Sequence, residues 1–314
     1  MQGAHSVFDP ASPQATAIAH LAWIFVSLAA LIWLLVLGFL TASLIPRRAL
    51  GEHGVDLRLT RRQLVSVSTA LGLSAVLLLS LGFVDYATGR GIERPNVASR
   101  DTVHVRLVGR QWWWEIHYQQ STPPYDMTTA NELHIPIGRP VVLTLESSDV
   151  IHSFWAPNLH GKADLVPSYS SRFLIQADRP GVYRAPCAEY CGAQHAKMAL
   201  LIIAQPADSF AAWYGNEIKD AVATTSPGFE IFRQAACPYC HTIRGAGAGG
   251  IVAPDLTHLA ARTTIAAGTL PNRRGELAGW IANAQGIKPG NQMPANLVKG
   301  ADLNALIDYL MSLK

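Results

Sequence analysis

The chain has 314 residues, of which 49% are hydrophobic and only 15% charged, and its formal net charge is +3. The charged fraction is well below the roughly 25% that is usual for soluble domains, and the length allows two or three domains with ample cores. Because the positive charge is small and scattered, nucleic acid is excluded as an expected partner.

Two uncharged segments account for the high hydrophobic content. Residues 21–45 and 64–84 contain no charged side chain over 25 and 21 residues. Each segment is long enough to cross a bilayer as a helix. The alternative, a buried core helix, is usually shorter and amphipathic. The sequence therefore predicts a membrane-spanning helical hairpin.

The charges beside the two spans predict how the hairpin lies in the membrane. Residues 46–62 contain five arginines, whereas the first 20 residues contain no Lys or Arg. By the positive-inside rule the connecting segment is cytoplasmic, so both termini lie outside. The first apolar run is too long for a cleaved signal peptide and has no basic residue before it, so we expect it to be retained.

A polar linker is predicted over residues 85–100, and an all-β region follows it. Strands are predicted at residues 103–107, 131–137, 140–147, 172–177 and 198–204. Turns that contain proline and glycine separate these strands, and the region has no convincing helical period. We therefore expect a β-sandwich or barrel.

From about residue 207 the pattern becomes helical. The segment FAAWYGNEIKDAV is followed by a TTSPG break and then by helices with Gly-rich loops. In the last helix, leucine and isoleucine recur at helical spacing. The predicted domains are an N-terminal tail with the hairpin (1–98), a β domain (99–206), a linker (207–226) and a small helical domain (227–314).

The segment CAEYCGAQHAKM, residues 187–198, concentrates four soft ligands. Cys187, Cys191 and His195 follow at intervals of four, and Met198 comes three residues later. On a compact turn these side chains can converge on one point. Thiolate, imidazole and thioether together suit copper better than the hard cations. Since a single blue copper usually takes one cysteine, two cysteines favour two copper ions bridged by both sulfurs, with a second histidine from elsewhere.

Two other structures could use the same cysteines. Cys187 and Cys191 could form a disulfide, because the domain lies in an oxidising compartment, or a zinc site could take two cysteines and two histidines. The disulfide leaves His195 and Met198 without a role, and zinc leaves Met198 unexplained. Copper is therefore preferred, and His152 in SSDVIHSFWAP is the candidate for the second histidine.

The second cysteine pair lies in CPYCH, residues 237–241, which is the attachment signature of c-type haem. Cys237 and Cys240 can add to the two vinyl groups of the haem, and His241 becomes the proximal ligand. The competing interpretation is a thioredoxin-like redox pair. A βαβ strand should precede such a pair, but here a helix-like stretch does.

The sixth ligand of the haem should be a downstream methionine or histidine. Met293 in NQMPAN follows a turn rich in glycine and proline, whereas Met311 lies inside the last predicted helix. Met293 is therefore the predicted ligand. Ligation by histidine and methionine raises the haem potential into the range that suits electron transfer to a high-potential acceptor.

Taken together, DVIHSFW and CAEYCGAQHAKM resemble the dinuclear copper (CuA) signature of cytochrome c oxidase subunit II. GRQWWWEIHY, GKADLVP and QADRPGVYRAPC are also similar to that family, and the resemblance covers residues 20–215. GWIANAQGIKPGNQMP and APDLTHLAAR resemble the cytochrome c domain that is fused to some bacterial members. The resemblance implies a membrane helical hairpin, an all-β cupredoxin-like domain and an all-α class I cytochrome c domain.

The resemblance also implies which residues hold the metals. The implied copper ligands are two bridging thiolates (Cys187 and Cys191), His152 with Met198 on one ion, and His195 with the backbone carbonyl of Glu189 on the other. The carboxylate of Glu189 would reach toward magnesium at the junction with subunit I. Electrons would enter the copper domain at Trp112, with Trp113 as the second candidate. The carbonyl of Pro254 would accept a hydrogen bond from the ring of His241.

The function that the resemblance implies is electron transfer in a respiratory terminal oxidase. Electrons would pass from haem c to the dinuclear copper and on to a haem-copper subunit that reduces oxygen to water and translocates protons. This chain itself would do no bond chemistry. The expected partners are subunit I, other oxidase subunits, an upstream donor cytochrome or respiratory complex, and the lipid bilayer. The expected location is the bacterial inner membrane, with both redox domains on the periplasmic side.

Two alternative functions stay open at this point. The same copper site would serve the equivalent subunit of a copper-containing nitric oxide reductase. From a different class, the chain could be a membrane-tethered thiol–disulfide exchange protein that uses CPYC and CAEYC.

Overall fold

In a computed structural model of the chain, the described residues are 4–45, 61–92, 102–119, 127–222, 225–294 and 298–314. They belong to two compact units, one of Ala17–Pro95 and one that joins Met1–Thr16 to Asn96–Lys314. Most of the segment that connects the predicted spans, residues 46–60, lies outside the described residues.

Two long helices, α1 (Pro13–Ser43) and α2 (Arg61–Ile92), account for both predicted spans, and each is long and apolar enough to cross a membrane. Both are longer than the apolar runs. The linker prediction was wrong for residues 85–92, which continue α2. In these last turns, Arg90 Nη1 donates to the Tyr86 hydroxyl at 3.1 Å, a pair with the i, i+4 spacing that supports a helix.

The β domain contains the strands β1 (Val103–Arg110), β2 (Trp113–Gln119), β3 (Met127–Ala130), β4 (Glu132–Pro136), β5 (Val141–Ser147), β6 (His152–Phe154), β7 (Ala163–Leu165), β8 (Ser171–Ile175), β9 (Gly181–Pro186) and β10 (Ala199–Gln205). Its sheets have the orders β3-β2-β1-β5-β8 and β4-β10-β9, with β6 and β7 as a separate pair. The five strand predictions are confirmed.

One hydrophobic core fills the β domain. Alternate residues of its strands point inward, as the period of two in a half-buried strand requires. The largest side chains of this core that are fully buried are Leu107, Trp114, Ile116, Tyr118, Met127, Leu133, Ile135, Leu143, Leu145, Phe154 and Leu159. The copper-ligand candidates Cys187, Cys191 and Met198 belong to the same cluster, so the predicted site is built into the core.

Helix α3 (Ala207–Glu217) occupies much of the segment that we assigned to a linker, and it packs on the β domain. The ring centroids of Phe210, Trp213 and Tyr214 lie 5.4 to 6.4 Å from that of Tyr118. Trp213 also stacks on His134 of β4, with ring centroids 4.0 Å apart and an interplanar angle of 4°. The aromatic residues of α3 therefore extend the core of the β domain.

The N-terminal tail also lies on the β domain, although we grouped it with the hairpin. Ala4 N donates to the Val182 carbonyl at 2.7 Å, and Arg184 N donates back to Ala4 at 2.8 Å, so the tail pairs with β9. Ala11 N donates to the carbonyl of Asn158 at 2.7 Å. The beginning of α1 is thus held against the β domain.

The C-terminal domain contains α4 (Pro227–Gln234), β11 (Thr242–Ile243), β12 (Ala248–Gly249), β13 (Thr264–Ile265), β14 (Leu270–Pro271), α5 (Arg274–Ala282), α6 (Ala284–Ile287) and α7 (Gly300–Leu310). Ser226 caps α4 by accepting from Phe229 N, and Pro227 stands at the first turn, where its missing N–H costs nothing. The predicted apolar face of the last helix is confirmed, because Leu306, Ile307 and Leu310 are buried in the core of this domain.

We expect the β domain to lose stability as the pH falls from about 6.5 to about 4. Burial lowers the pKa of His134 from 6.5 to about 4. Between these values the unfolded chain binds the proton and the folded chain does not, so acid favours unfolding, by about 3 kcal/mol over the whole window. Denaturant unfolding followed by tryptophan fluorescence should show this loss, and His134→Gln should make the fall of the unfolding free energy shallower. Burial also lowers the pKa of His160 to about 4, so part of the fall should remain. If the free energy of unfolding fell equally with pH in both proteins, His134 would not be responsible for the loss.

Candidate copper centre and haem pocket

The loop that carries the four soft ligands connects β9 to β10. Pro186 pairs with Ala199 in the antiparallel ladder, and Cys187 N donates to the Met198 carbonyl at 2.8 Å. The closed base of this hairpin places Cys187 next to Met198. The two side chains are 5% and 1% exposed, so the structure holds both of them away from water.

Strand β6 brings His152 to the same place from 35 residues earlier in the chain. Ala188 N donates to the Ser153 carbonyl at 3.0 Å, which fixes the loop to β6. His152 is fully buried, and its Nδ1 lies 3.8 Å from Cys187 Sγ. The histidine proposed from the sequence therefore meets the loop.

The sulfur and nitrogen atoms of the site are close together but not bonded. Cys187 Sγ lies 3.8 Å from Cys191 Sγ, which in turn lies 3.6 Å from His195 Nδ1 and 3.9 Å from Met198 Sδ. A disulfide needs about 2.05 Å between the sulfurs, and both cysteines are free in this structure. Their thiols are therefore available as ligands.

The donor set fits copper. His152, Cys187 and Cys191 have ligand atoms within 4.8 Å of one another, and all three residues are buried. The carbonyl oxygen of Glu189 adds one further donor, 3.3 Å from Cys187 Sγ. Thiols, imidazoles and a thioether are the ligands of a soft, redox-active metal rather than of magnesium or calcium.

Hydrogen bonds within the site favour the thiolate form of Cys187. The hydrogen bond between the Cys187 and Cys191 sulfurs, helped by the one with His152, holds the pKa of Cys187 well below its ordinary value. Burial would lower the pKa of His152, but hydrogen bonds to Asp149 and Cys187 outweigh it and raise that pKa. Because the thiolate is the form that binds metal, the bonds to Cys187 favour its metal-binding form.

The side chains of Gln111 and Trp112 form hydrogen bonds to the loop. Gln111 Nε2 and Trp112 Nε1 both donate to the Cys191 carbonyl, at 2.7 and 2.9 Å. This close approach needs Gly192, which has a φ of +111° and where an added Cβ would lie 3.1 Å from both side chains. Trp112, the predicted electron-entry residue, is thus in direct contact with the loop.

Two other residues that the sequence singled out point away from the sulfurs. The carboxylate of Glu189 is 42% exposed and forms an ion pair with Lys162 at 3.2 Å. The guanidinium of Arg110 lies over the ring of Trp113, 5.6 Å from the ring centroid. The Glu189 side chain is therefore accessible at the surface of the loop, while its backbone carbonyl lies inside.

The CPYCH motif follows α4 and begins with a 3-10 turn at Cys237–Tyr239. His241 N donates to the Cys237 carbonyl at 3.0 Å, and His241 Nδ1 lies 2.7 Å from the carbonyl oxygen of Pro254, to which it donates. This bond leaves Nε2 as the nitrogen that can bind iron. Burial lowers the pKa of His241, which favours the neutral imidazole that a metal requires.

The motif opens into an apolar cavity that fits a haem. The cavity is lined by both cysteines and the histidine of the motif, by Met293, and by the apolar side chains Phe232, Leu256, Leu259, Ile265, Leu277, Trp280, Ile281, Leu306 and Leu310. Among the described lining residues, Met293 is present and Met311 is not. Gln111, Trp112, Trp113 and Asn131 line the same cavity, so the β domain closes one side of it.

A buried carboxylate joins the two domains. Glu132 on β4 is only 3% exposed. It accepts hydrogen bonds of 2.7 to 3.1 Å from the backbone N–H groups and hydroxyls of Thr263 and Thr264, on the cytochrome side. Such charge-assisted bonds contribute about 1.5–3 kcal/mol each when they are buried. Ala199 N adds a backbone bond to the Ala267 carbonyl at 3.0 Å.

Several residues of the site were missed from the sequence. Asp149 accepts from His152 at 2.8 Å, and its place three residues before the histidine was a usable signal. Gly109 lies near the end of β1, beyond the strand predicted at residues 103–107, and packs directly under His152, which its sequence position did not indicate. Glu132 had no distinguishing pattern, because its partners are more than 130 residues away in the sequence.

Comparisons with known proteins identify two families along the chain. Residues 103–205 match the family described as cytochrome c oxidase subunit II, periplasmic domain, and residues 225–314 match the cytochrome c family. The chain is 36% identical over 219 residues to cytochrome c oxidase subunit 2 of Alkalihalophilus pseudofirmus, covering 68% of this chain and 62% of that relative. The match therefore spans less than two thirds of that relative's length.

Two further relatives match over a larger share of both chains. Cytochrome c oxidase subunit 2 of Bacillus subtilis is 27% identical over 85% of this chain and 80% of its own length. Cytochrome c oxidase subunit 2 of Bacillus sp. (strain PS3) is 30% identical over 290 residues, which cover 86% of this chain and 77% of the relative. The chain therefore belongs to the cytochrome c oxidase subunit 2 family, and a cytochrome c domain follows its copper domain.

Proposed function

We propose that this chain is the electron-transfer subunit of a membrane-bound respiratory oxidase that reduces oxygen to water. The single observation that carries the proposal is the convergence of two free thiols, two imidazoles and a thioether at one buried loop, next to a haem-type pocket in the same compact unit. Bound copper and haem c would supply reversible one-electron oxidation and reduction.

The residues of the loop would hold copper in a rigid frame. Cys187 and Cys191 would bridge two ions, His152 and Met198 would complete one of them, and His195 with the Glu189 carbonyl would complete the other. Burial of the sulfurs and the hydrogen bonds from Gln111 and Trp112 support this role, because they limit movement of the ligands when the charge changes.

The second site would hold haem c. Cys237 and Cys240 would attach it, and His241 and Met293 would be its axial ligands, with Pro254 orienting the histidine. Thiol–disulfide exchange at CPYC is less well supported, because burial raises the pKa of Cys237, whereas an attacking thiol needs a lowered one.

The partners follow from the family. Subunit I of a haem-copper oxidase would accept the electrons, and the exposed carboxylate of Glu189 would reach a magnesium ion at the junction with it. An upstream cytochrome or respiratory complex would be the donor. The names of the relatives favour oxygen over nitric oxide as the final acceptor.

The proposed location is the bacterial inner membrane, with both termini and both redox domains on the periplasmic side. The arginines of residues 46–62 support a cytoplasmic connection between α1 and α2. The N-terminal tail gives independent support. Since residues 4–12 pack on the β domain, α1 begins on the same side as that domain.

The test is spectroscopy on the full chain, loaded with copper and haem. We expect two copper ions per chain, the hyperfine pattern of one electron shared equally by two copper nuclei, and the absorption bands of covalent haem c. Cys191→Ser should remove the shared-copper pattern and leave the haem bands, whereas Cys240→Ser should do the reverse. A single-copper pattern in the unmutated chain would contradict the bridging role of the cysteines.

A further inference from the structure

A lysine is buried at the contact between the copper domain and the cytochrome domain. Lys288 is 3% exposed, and burial, together with the nearby charge of Lys197, lowers its pKa to about 8. Its Nζ donates to the carbonyls of Trp112 at 2.9 Å and Ala266 at 3.3 Å. Among the described residues, none of the ion pairs includes Lys288. Buried lysines without a carboxylate partner are costly and uncommon.

Hydrogen bonds connect this lysine to both sites. On the haem side, Met293 N donates to Asn291 Oδ1 at 2.8 Å, and Asn291 Nδ2 donates to the Lys288 carbonyl at 2.6 Å. On the copper side, Trp112 Nε1 donates to the Cys191 carbonyl at 2.9 Å. Since Lys288 Nζ donates to the Trp112 carbonyl, an unbroken path of bonds and hydrogen bonds runs from Met293 to Cys191.

The loop of residues 187–198, which we call the copper loop, also binds the residues on either side of Lys288. Gln194 Nε2 donates to the Pro289 carbonyl at 2.6 Å, and Lys197 Nζ donates to the Ile287 carbonyl. Residues 287–289, which we call the contact turn, therefore accept hydrogen bonds from the copper loop on both sides of Lys288. The lysine lies at the centre of this contact.

We propose that Lys288 is a positioning residue that sets the rate of electron transfer between the two redox sites of this chain, by fixing the contact turn against Trp112. The proposal rests on the proposed function. In the step concerned, one electron leaves the cytochrome domain and one arrives at the copper loop, and no bond is made or broken. The path of bonds passes through Lys288, which holds its two ends together and is neither oxidised nor reduced.

The experiment compares Lys288→Met, Lys288→Arg and Lys219→Met in the full chain loaded with copper and haem. Lys219 is exposed and serves as the control. The rate of transfer between the sites is measured after photoreduction of the haem. Losing a charge-assisted bond should lower the ratio of docked to undocked contact turn by roughly tenfold to a hundredfold, and the rate should fall as far as the docked fraction falls. Arginine keeps the donors and should restore much of the rate.

Amide hydrogen exchange gives a second readout that does not depend on activity. In Lys288→Met, the amides of Asn291 and Met293 should exchange faster. The amides of Thr263 and Thr264, which Glu132 holds, should stay protected. Glu132→Ala should expose those two amides, because it removes the anchor between the domains.

Three outcomes would overturn the proposal. An unchanged rate in Lys288→Met, with normal copper and haem spectra, would show that Lys288 does not position the path. Loss of protection at Thr263 and Thr264 in the same variant would mean that the lysine only holds the domains together. Absence of the copper or haem signals in the unmutated chain would overturn the proposed function, and this inference with it.

Discussion

Replacing Gly109 by alanine should lower the copper affinity of the chain by roughly 10- to 100-fold, the range found when a residue that orients a metal ligand is lost. An added Cβ at this position would lie 2.7 Å from His152 Cδ2 and 2.9 Å from its Cγ. The imidazole cannot easily move aside, because Asp149 holds its other nitrogen at 2.8 Å. The ring would therefore be displaced relative to Cys187. Competition with a copper chelator would measure the change.

Gly181→Ala is the matched control for that experiment. Gly181 also lies in a strand of the β domain, but the atoms nearest to its added Cβ belong to the Tyr183 side chain, at an ordinary 3.4 Å. Alanine is otherwise favoured over glycine in a strand. If Gly109→Ala bound copper as tightly as Gly181→Ala does, His152 would not be a ligand held in the position that the structure gives it.

Gly228→Ala should destabilise the cytochrome domain by about 3 kcal/mol or more, at the upper end of the range for overpacking. Gly228 lies where α4 crosses α7, and an added Cβ would lie 2.0 Å from the backbone oxygen of Ala305. Backbone cannot rotate away as a side chain can, so the two helices must separate. For a domain of this size we expect a fall in Tm of roughly 10 to 20 °C, followed through the haem absorption of the full chain.

Gly279→Ala separates this packing effect from the general effect of alanine in a helix. Gly279 lies in α5 of the same domain, and nothing lies within 4 Å of its added Cβ. Its replacement should stabilise the helix by up to about 1 kcal/mol. Similar falls in Tm for the two variants would refute the close contact between α4 and α7.

The sequence was sufficient for the parts of the molecule that depend on local pattern. Two uncharged runs predicted both long helices, and sequence pattern predicted five of the ten strands that the structure describes in the β domain. The spacing of soft ligands within residues 187–198 predicted the buried sulfur cluster. The CPYCH motif likewise predicted the pocket in which His241 lies. In each case, residues close together in the chain carry the whole signal.

The contacts between distant segments could not be predicted in the same way. Glu132 and Lys288 are ordinary charged residues in the sequence, and only the tertiary fold brings them to Thr263 and Trp112. Helix α3 was recognised as helical, but the period of a helix does not say which domain it covers. The end of α2 was misjudged because polar residues can extend a membrane helix beyond its apolar run.

The N-terminal tail has a consequence for biogenesis. His5 and Arg184, which meet in the finished domain, are 179 residues apart in the sequence. Both long helices are made between them, so the tail has no partner in the β domain until the chain has been synthesised as far as Trp155 and Asn158. The long sequence separation between the tail and its partners adds little to the loop-closure entropy, which grows only slowly with loop length. The residues of the N-terminal tail thus reach their native partners only after both long helices have been made.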